Sequence, residues 1–468
     1  MTKQALETGS TIDGFLIGEK LHVGGMASLW SVTRSDIDSP IVMKVPTIMD
    51  GEDAEVIVGF EMEMMILPRL SGPHVPRVYG VGDYASQPYI VMEYIDGQSL
   101  FPLLEQSPLP AEQVITLATK IANALHELHR QNVIHFDLKP SNIMQRANGD
   151  ITFIDFGLSR HLQLPDLLEE EFHIPMGTGP YISPEQVLQN RSDNRSDLFS
   201  LGVILYHLAT GQRPFGFPQS ANGLRHRLWR DPIPPRQHQR NIPVWFQEVI
   251  LRCLEPDPDK RYPTAAQLAF DLQNPGEVKI TERGEKIKAD GFFSVLKRRM
   301  GFAATIGTPR QPDQSPWLNA PIVVVALDLS DDSEALQQAL RMHAANVLAR
   351  IPDARLACVN VLRQNRLTMT YALDEEGRNL HVQRLVELKE WARPLGLSRD
   401  KMTFHVLEHV DPAAALLEYT RSNHVDHILL GAQGTGALRR LMGSVSSQIV
   451  AEAPCTVTVV RVPETKAD

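Results

Sequence analysis

Two short polar strings constrain this chain more than any other feature of its sequence. The first, HFDLKPSN, spans residues 135–142, and the second, IDFG, spans residues 154–157. Each string follows a short apolar stretch. A single copy of either string carries little information, but the two together, in this order, are highly specific. These two strings are therefore the strongest functional signal in the chain.

The side chains in these strings suit the transfer of a phosphoryl group. Such a transfer needs metal ions on the phosphates, a carboxylate aimed at the attacking hydroxyl, and neutralisation of charge. Asp137 suits the carboxylate role, and Lys139 can neutralise charge on the moving group. Asn142 and Asp155 carry the oxygen ligands that Mg²⁺ accepts. The two strings therefore predict a phosphoryl-transfer site with a bound metal ion.

The order of the apolar patterns predicts a small sheet lobe followed by a larger helical lobe. Short β-prone runs bordered by Gly and Asp occupy the start of the chain, with a helical stretch at 52–70. From Pro110 onwards apolar residues recur at helical spacing, most clearly over 111–131 and 197–210.

These features resemble the protein-kinase family, in particular the bacterial Ser/Thr kinases with eukaryotic-like folds. The resemblance covers residues 12–272 and implies the α+β two-lobed protein kinase fold. It also implies ATP with Mg²⁺ (or Mn²⁺) as cofactors, and a Ser or Thr of a protein as the substrate. Lys139 and Thr178 are the residues that favour Ser/Thr over Tyr.

The resemblance assigns roles to individual residues. Its catalytic set is Asp137, Lys139, Lys44 and Glu63, where Glu63 is the expected ion-pair partner of Lys44. Its ATP-binding set is Gly24, Gly25, Lys44, Met92, Glu93, Tyr94, Asn142 and Asp155, of which Asn142 and Asp155 bind the metal. Its activation-segment set is Thr178, expected to contact Asp137, and Glu185, expected to pair with Arg261. Asp197 and Gly202 match the central helix of the larger lobe, and Asp197, Glu185 and Arg261 are interpreted as scaffold.

Two departures concern the glycine loop that covers the phosphates. His22 and Ala27 stand where the family has glycine, so two loop residues carry a Cβ. A Cβ limits how closely the backbone can approach a phosphate. We expect weaker or slower use of ATP as a result.

A third departure concerns how the activity of the kinase is controlled. Phe136 replaces the arginine that in the family receives a phosphorylated activation loop. Between Gly157 and Gly177 the only hydroxyl side chain is Ser159, and the acidic run 169–171 is interpreted as a solvated turn. These features predict a kinase that is constitutively competent or controlled by another domain.

A region of weaker pattern, 273–317, reads as a linker because it mixes Gly, Pro, Lys and Glu. Its basic stretch 292–300 is interpreted as a solvated linker helix, with contact to a membrane or a partner as the alternative.

The final part of the chain, 318–464, predicts a second domain. Continuous apolar runs alternate with helical stretches, which is typical of a parallel sheet covered by helices on both faces. The proline at 412, directly after Asp411, is a typical first-turn residue of a helix. We therefore predict a doubly wound α/β domain with a five-stranded parallel sheet.

A glycine-containing loop, GAQGTGALRRLMGSV at 431–445, follows one of these strands and precedes a helix. Together with VVVALD at 323–328 it resembles the universal stress protein family. The resemblance implies a second adenine-nucleotide site and a homodimer formed through the last strand, 457–461. The residues it assigns to the second site are Asp328, Val361, Gly431, Gly434, Gly443, Ser444 and Val445. A purely structural loop is the alternative, because Gly434 and Gly443 are one residue closer together than is usual.

Composition and charge exclude several classes of protein. The net charge of −10 argues against nucleic acid as the main partner. No apolar run is long enough for a membrane span, and the N-terminus lacks the pattern of a signal peptide. Three widely separated cysteines fit neither a disulfide framework nor a metal site, which predicts a cytoplasmic protein.

The sequence thus favours a Ser/Thr kinase in stress signalling that is regulated by, or dimerised through, a nucleotide-binding C-terminal domain. A pseudokinase scaffold is the main alternative. A further alternative makes the C-terminal domain an adenylate sensor and the kinase its output.

Overall fold

The small lobe is a six-stranded antiparallel sheet with one helix packed against it. The computed structural model of the chain describes residues 6–47, 54–218, 220–291, 295, 298–300, 320–329, 333–351, 353–364, 379–398, 401–432 and 443–462. The strands are β1 (Thr11–Ile12), β2 (Phe15–Val23), β3 (Ala27–Arg34), β4 (Ile37–Pro46), β5 (Val78–Val81) and β6 (Ile90–Glu93). They lie in the order β1-β2-β3-β4-β6-β5.

Helix α1 (Ala54–Ile66) crosses the back of this sheet. It is apolar almost all round, and Ile57, Phe60 and Met62 are buried. A helix without a polar face needs cover on every side. The small lobe covers only part of α1, so other elements must pack against the rest.

The large lobe is mainly helical, as the apolar patterns predict. Its helices are α2 (Phe101–Glu105), α3 (Ala111–Arg130), α4 (Leu167–Glu171), α5 (Pro184–Val187), α6 (Arg195–Thr210), α7 (Ala221–Arg225), α8 (Pro235–His238), α9 (Val244–Cys253), α10 (Ala265–Gln273) and α11 (Glu282–Glu285). Its strands are β7 (Gly97–Ser99), β8 (Val133–Ile134), β9 (Ile143–Arg146), β10 (Ile151–Phe153) and β11 (Arg160–His161). Short 3₁₀ turns occur in this lobe at Pro140–Asn142, His226–Leu228, Pro258–Lys260 and Pro275–Glu277, after α1 at Leu67–Arg69, and in the C-terminal domain at Arg393–Leu395. Helix α6 is buried along almost its whole length and forms the centre of this lobe.

Part of the predicted linker packs on the large lobe. Glu248 of α9 accepts hydrogen bonds from the Thr281 hydroxyl at 2.8 Å and from the Gly284 N–H at 2.8 Å. In the basic stretch, Arg298 forms an ion pair with Asp231 at 2.5 Å. The described residues of this stretch, 295 and 298–300, are helical as expected, and Arg298 attaches them to the large lobe through this ion pair. Residues 301–319 lie outside the described part of the chain.

The C-terminal domain contains the predicted five-stranded parallel sheet. Its strands are β12 (Ile322–Ala326), β13 (Arg355–Arg363), β14 (Met402–His409), β15 (His427–Gly431) and β16 (Thr456–Val460). Its helices are α12 (Glu334–Arg350), α13 (Leu380–Ala392), α14 (Pro412–Ser422) and α15 (Ser444–Glu452). The order β14-β13-β12-β15-β16 places the reversal of strand order between β12 and β15, where open α/β sheets bind ligands.

The sequence signals of this domain correspond to its local structure. The Asp411 side chain accepts hydrogen bonds from the N–H groups of Ala413 and Ala414 and caps α14, which begins at Pro412 as predicted. The residues Val323, Val324 and Val325 of β12 are buried, as expected for a strand with helices on both faces of its sheet. No helix among the described residues is both long and apolar enough to cross a bilayer.

Candidate active site

Asp137 lies in the loop between β8 and the 3₁₀ turn Pro140–Asn142. We call the region around Asp137, Asp155 and Lys44, where the two lobes meet, the cleft. Its Oδ1 accepts hydrogen bonds from the backbone N–H of Thr178 at 3.1 Å and from the Thr178 hydroxyl at 2.7 Å. Its Oδ2 accepts from Lys139 Nζ at 2.6 Å and from Asn142 Nδ2 at 3.2 Å. Four donors hold this buried carboxylate in one orientation, which suits a group that must take a proton from a hydroxyl.

Asp197 of α6 supports the loop that carries Asp137. Its two carboxylate oxygens accept the backbone N–H groups of His135 and Phe136, each at 2.9 Å. Asp197 is fully buried, and His129 Nε2 lies 2.9 Å from its Oδ2. The central helix therefore fixes the loop backbone, in agreement with the scaffold interpretation of Asp197.

Asn142 and Asp155 offer oxygen atoms that fit a divalent cation. The Asn142 amide nitrogen donates to the backbone oxygen and to the carboxylate of Asp137. Among the described residues, the Asn142 side-chain oxygen has only a 3.4 Å contact with the Ser141 hydroxyl. The Asp155 side chain is 40% exposed to the cleft. Within the described residues no group of three or more His, Cys, Asp and Glu could hold a metal alone. Phosphate oxygens would have to complete the coordination, as is usual for Mg²⁺.

Lys44 of β4 connects the two lobes. Its Nζ lies 2.6 Å from Glu63 Oε2 and 3.0 Å from Asp155 Oδ1, so the expected ion pair with Glu63 is present. Burial alone would lower the pKa of Lys44, but the carboxylates of Asp155 and Glu63 raise it. The attraction of Lys44 lowers the pKa of Asp155. The ammonium of Lys44 and the carboxylate of Asp155 therefore lie side by side where the resemblance places the ATP phosphates.

The close approach of α1 to the second string depends on a glycine. A Cβ on Gly59 of α1 would lie 3.1 Å from the backbone oxygen of Gly157. A side chain at Gly59 would therefore require α1, which carries Glu63, or the backbone at Gly157 to shift by a few tenths of an ångström.

The turn between β2 and β3 is closed by a hydrogen bond from Gly24 N–H to Ala27 O at 2.9 Å. Strand pairing sets His22 opposite Leu29, and the side chain of His22 lies alongside Gly24. The two substituted positions therefore flank the turn, His22 near the end of β2 and Ala27 at the start of β3, and the pairing of the two strands is irregular between Lys20 and His22. The expected weakening of ATP use stays a prediction.

The segment after β6 was predicted to bind adenine through backbone groups of Glu93 and Tyr94. The N–H of Glu93 donates to Arg77 O at 2.8 Å, and the N–H of Tyr94 donates to Pro40 O at 3.0 Å. Both donors are therefore engaged within the protein. Across the described residues no backbone hydrogen bond takes up the N–H of Ile95. Ile95 is thus the next available donor, and its role is visible only from the hydrogen-bond pattern.

The end of the activation segment is anchored by the expected pair. Arg261 Nη2 lies 2.8 Å from Glu185 Oε1 and its Nη1 lies 3.0 Å from Oε2, with both side chains buried. Gln186, which the sequence did not single out, donates to the backbone oxygens of Phe136 and Met176 at 2.7 and 2.9 Å. It therefore links the loop around Asp137 to the segment that carries Thr178.

The substitution at Phe136 brings in a different arginine. The guanidinium of Arg191 lies 4.8 Å from the centre of the Phe136 ring and donates to Asp166 at 2.8 Å. The acidic run that follows is not a solvated turn, and that interpretation was wrong. It forms part of α4, where Glu170 is 7% exposed because the C-terminal domain covers it.

The predicted second nucleotide site lies along the carboxyl edge of the C-terminal sheet. Parallel pairing of β12 with β13 and β15 brings the ends that carry Asp328, Val361 and Gly431 to the same edge. The Ser446 hydroxyl donates to Gly431 O at 3.2 Å, which places the start of α15 there as well. Gly434 lies outside the described residues.

Two observations bear on what this edge can bind. A cavity of about 830 Å³ is lined by the predicted residues Ser444 and Val445 together with Arg363. Its lining, as far as the chain is described, does not include Asp328, Val361 or Gly431. A Cβ on Gly431 would lie 2.8 Å from a methyl group of Leu336, so packing against Leu336 is one reason for a glycine at this position.

Comparisons with known proteins bear on both domains. The family model "Protein kinase domain" matches residues 15–271, and "Universal stress protein family" matches residues 321–461. The chain is 32% identical over 265 residues to serine/threonine-protein kinase PknB of Mycobacterium leprae, covering 56% of this chain and 42% of that relative. It is 32% identical over 302 residues to a probable serine/threonine-protein kinase of Clostridium perfringens, covering 64% of this chain and 41% of that relative.

A solved structure, the kinase domain of Mycobacterium tuberculosis PknI, is 22% identical with a TM-score of 0.45 and covers 58% of this chain and 99% of that chain. The chain spans less than half the length of the curated relatives it matches. The pseudokinase alternative finds no support among these relatives. Because the kinase match takes in more than half of its residues, the chain belongs to the protein kinase family, and its C-terminal domain is of the universal stress protein type.

Proposed function

We propose that this chain is an ATP-dependent serine/threonine protein kinase that acts at the Asp137 cleft. The observation that carries the proposal is the Asp137 carboxylate, held by Thr178, Lys139 and Asn142. The ion pair of Lys44 with Glu63 lies in the same cleft and completes the charge arrangement that phosphoryl transfer needs.

In the proposed mechanism Asp137 orients the hydroxyl of the substrate Ser or Thr and takes its proton. Lys44 and Lys139 offset negative charge on the ATP phosphates. Asn142 and Asp155 would hold Mg²⁺ (or Mn²⁺), which when bound would neutralise phosphate charge. These roles use groups that are already oriented, so little reorganisation is needed during the reaction.

The rest of the ATP site follows from the same cleft. We assign adenine to the segment after Met92, through the backbone oxygen of Glu93 and the N–H of Ile95, because the N–H of Tyr94 is already used. Gly24 and Gly25 would cover the phosphates. Thr178, which shares Asp137 with Lys139, favours Ser or Thr over Tyr as the acceptor.

The substitution Lys44→Met tests this function. Transfer of labelled γ-phosphate to a generic basic protein substrate should fall about 10²–10³-fold, because one preorganised charge is removed. Lys279→Met, at an exposed position without a described partner, is the control and should behave as wild type. Equal labelling by wild type and Lys44→Met would refute the proposal.

For the C-terminal domain, 318–464, we propose regulation of the kinase domain, 12–272, and binding of a second adenine nucleotide. The cavity beside Ser444 and Val445 supports binding, since its volume is in the range of ligand sites. Calorimetry on the full chain should then give two ATP sites in wild type and one in Gly434→Glu. An unchanged number of sites in Gly434→Glu would refute the second site.

A homodimer through β16 is the remaining proposal for this domain. Strand β16 lies at the edge of its sheet, where backbone groups can pair with another copy. Sedimentation as a monomer at micromolar concentration would contradict it. The cytoplasmic location and the lack of a nucleic-acid partner stay predictions.

A further inference from the structure

Helix α4 of the activation segment lies between the kinase lobes and the C-terminal domain. It packs on α1 of the small lobe and on β14 and α14 of the other domain. Leu168 of α4 is fully buried, within a continuous apolar cluster that also contains Val406 of β14. The N-terminal end of α4 is anchored in the kinase domain, where Asp166 pairs with Arg191 at 2.8 Å. Its C-terminal end is held from the other domain.

Glu170 makes most of the polar contacts of that end. Its Oε1 lies 2.6 Å from Arg355 Nη2, and its Oε2 accepts the Tyr419 hydroxyl at 3.1 Å. The His405 Nε2 lies 2.9 Å from the same Oε2, at an angle too bent for a regular hydrogen bond. Asn423 Nδ2 donates to the backbone oxygen of Glu170 at 3.2 Å. Burial alone would raise the pKa of Glu170, but Arg355 and His405 lower it to about 2.

Glu171 extends the contact to the second ring nitrogen of His405. The His405 Nδ1 lies 2.8 Å from Glu171 Oε1, and the His405 side chain is fully buried. Burial alone would lower the pKa of His405, but its contacts with Glu170 and Glu171 raise it to about 9. A protonated imidazole can donate from both nitrogens. Two carboxylates of the activation segment therefore meet two cationic groups, Arg355 and His405, of the C-terminal domain.

The C-terminal domain also contacts the outer face of α1. Glu61 and Glu63 are two residues apart on this helix, so they point to nearly opposite sides. Glu63 faces the cleft and pairs with Lys44, whereas Glu61 faces outward and pairs with Lys389 of α13. The Lys389 ammonium also lies 4.9 Å from the centre of the Tyr84 ring. The same domain thus contacts α1, which carries Glu63, and α4, which precedes Thr178 in the activation segment.

The cleft is assembled in this docked arrangement. Lys44 contacts Glu63 at 2.6 Å, and Thr178 contacts Asp137 at 2.7 Å. Phe136 offers no cation to a phosphorylated loop, and the segment carries carboxylates instead. In the family, an arginine beside the catalytic aspartate binds a phosphorylated activation segment. Here the activation segment carries the carboxylates itself, and the C-terminal domain supplies the cations that hold it.

We propose that the C-terminal domain is a built-in activator, whose Arg355, His405 and Lys389 hold α4 and α1 in the position that assembles the cleft. This inference rests on the proposed kinase activity and names the contact through which that activity is controlled. The C-terminal domain therefore binds the kinase domain of the same chain, and the surface that it contacts consists of the acidic helix α4 and Glu61 of α1.

Charge reversal at the outer face of α1 tests the proposal without altering a cleft residue. The variants are Glu61→Lys, Lys389→Glu and the two together, with Glu277→Lys at an exposed site as the control for net charge. Each single reversal should slow phosphate transfer by about fivefold or more and speed hydrogen exchange in 167–173. The double reversal should recover most of both losses, which a misfolded protein would not do.

The outcomes separate the inference from the function on which it rests. If wild type transfers no phosphate, the proposed function fails, while hydrogen exchange still reports whether the domains dock. Faster exchange with unchanged or higher activity in the single variants would overturn the activating role. Unchanged exchange in both single variants would overturn the docking contact itself.

Discussion

Two buried groups of ion pairs hold the activation segment. They differ in whether their charged partners can move apart without unfolding a domain. Glu185 and Arg261 form a bidentate pair inside the large lobe, with both side chains at most 2% exposed. Glu170 meets Arg355 and His405 across the boundary between two domains. Loss of one partner in the large lobe strands a charge in the core, whereas the two domains can part and hydrate theirs. A pair inside one core is therefore a fixed support, and a pair between domains can serve control.

The largest stability effect should come from Glu185→Ala. Arg261 would keep its charge in the core without a carboxylate, which typically costs about 3–5 kcal/mol. Chemical denaturation of the kinase domain measures the loss. The control is Glu127→Ala, which removes an exposed pair with Arg130 and should cost less than about 1 kcal/mol. Equal losses in the two variants would remove the distinction between buried and exposed pairs.

A smaller loss is expected from Glu170→Ala. The variant loses charged hydrogen bonds, worth about 1–3 kcal/mol, but separation of the domains relieves Arg355 and His405. Proteolysis within 167–173 should become faster than in Glu169→Ala, whose side chain faces Arg160 of the kinase domain. A loss as large as that of Glu185→Ala would show that the domains cannot separate.

Domain docking should also depend on pH through His405. Its pKa is raised from 6.5 to about 9 in the docked state by Glu170 and Glu171, against the opposing effect of burial. The stabilisation is therefore complete below pH 6.5 and is lost as the pH rises through about 9, by at most about 1.4 kcal/mol per pH unit. Energy transfer between dyes on the two domains should fall over this window in wild type. An unchanged signal, or the same fall in His405→Gln, would exclude His405 as the group responsible.

The sequence predicted the ion pair of Glu185 with Arg261 but not the contacts of Glu170 with the C-terminal domain. Glu185 and Arg261 lie in strings whose order is informative, and the buried helix α6 and the parallel sheet follow from apolar patterns. His405 and Arg355 lie in apolar strands of a different domain, 235 and 185 residues along the chain from Glu170, with no local pattern to connect them. An acidic run looks solvated unless its cover is known, so the run 169–171 was misinterpreted.

Within the cleft, too, the sequence predicted some contacts and not others. Lys44 pairs with Glu63 and Thr178 with Asp137, as the family resemblance implies, because each position requires one specific residue type. Backbone groups carry no such signature. The availability of the Ile95 N–H depends on which strands use the neighbouring donors, and only the structure gives that information.

The most direct test of phosphoryl transfer at this cleft is the turnover of Asp137→Asn measured beside its affinity for ATP. Four donors hold the Asp137 carboxylate, and asparagine keeps its shape while removing its ability to take a proton. Transfer should fall about 10²–10⁴-fold while the Kd for ATP changes little, with the exposed Asp38→Asn as the unaffected control. Turnover in Asp137→Asn equal to that of wild type would contradict the assignment of Asp137 as the group that takes the substrate proton.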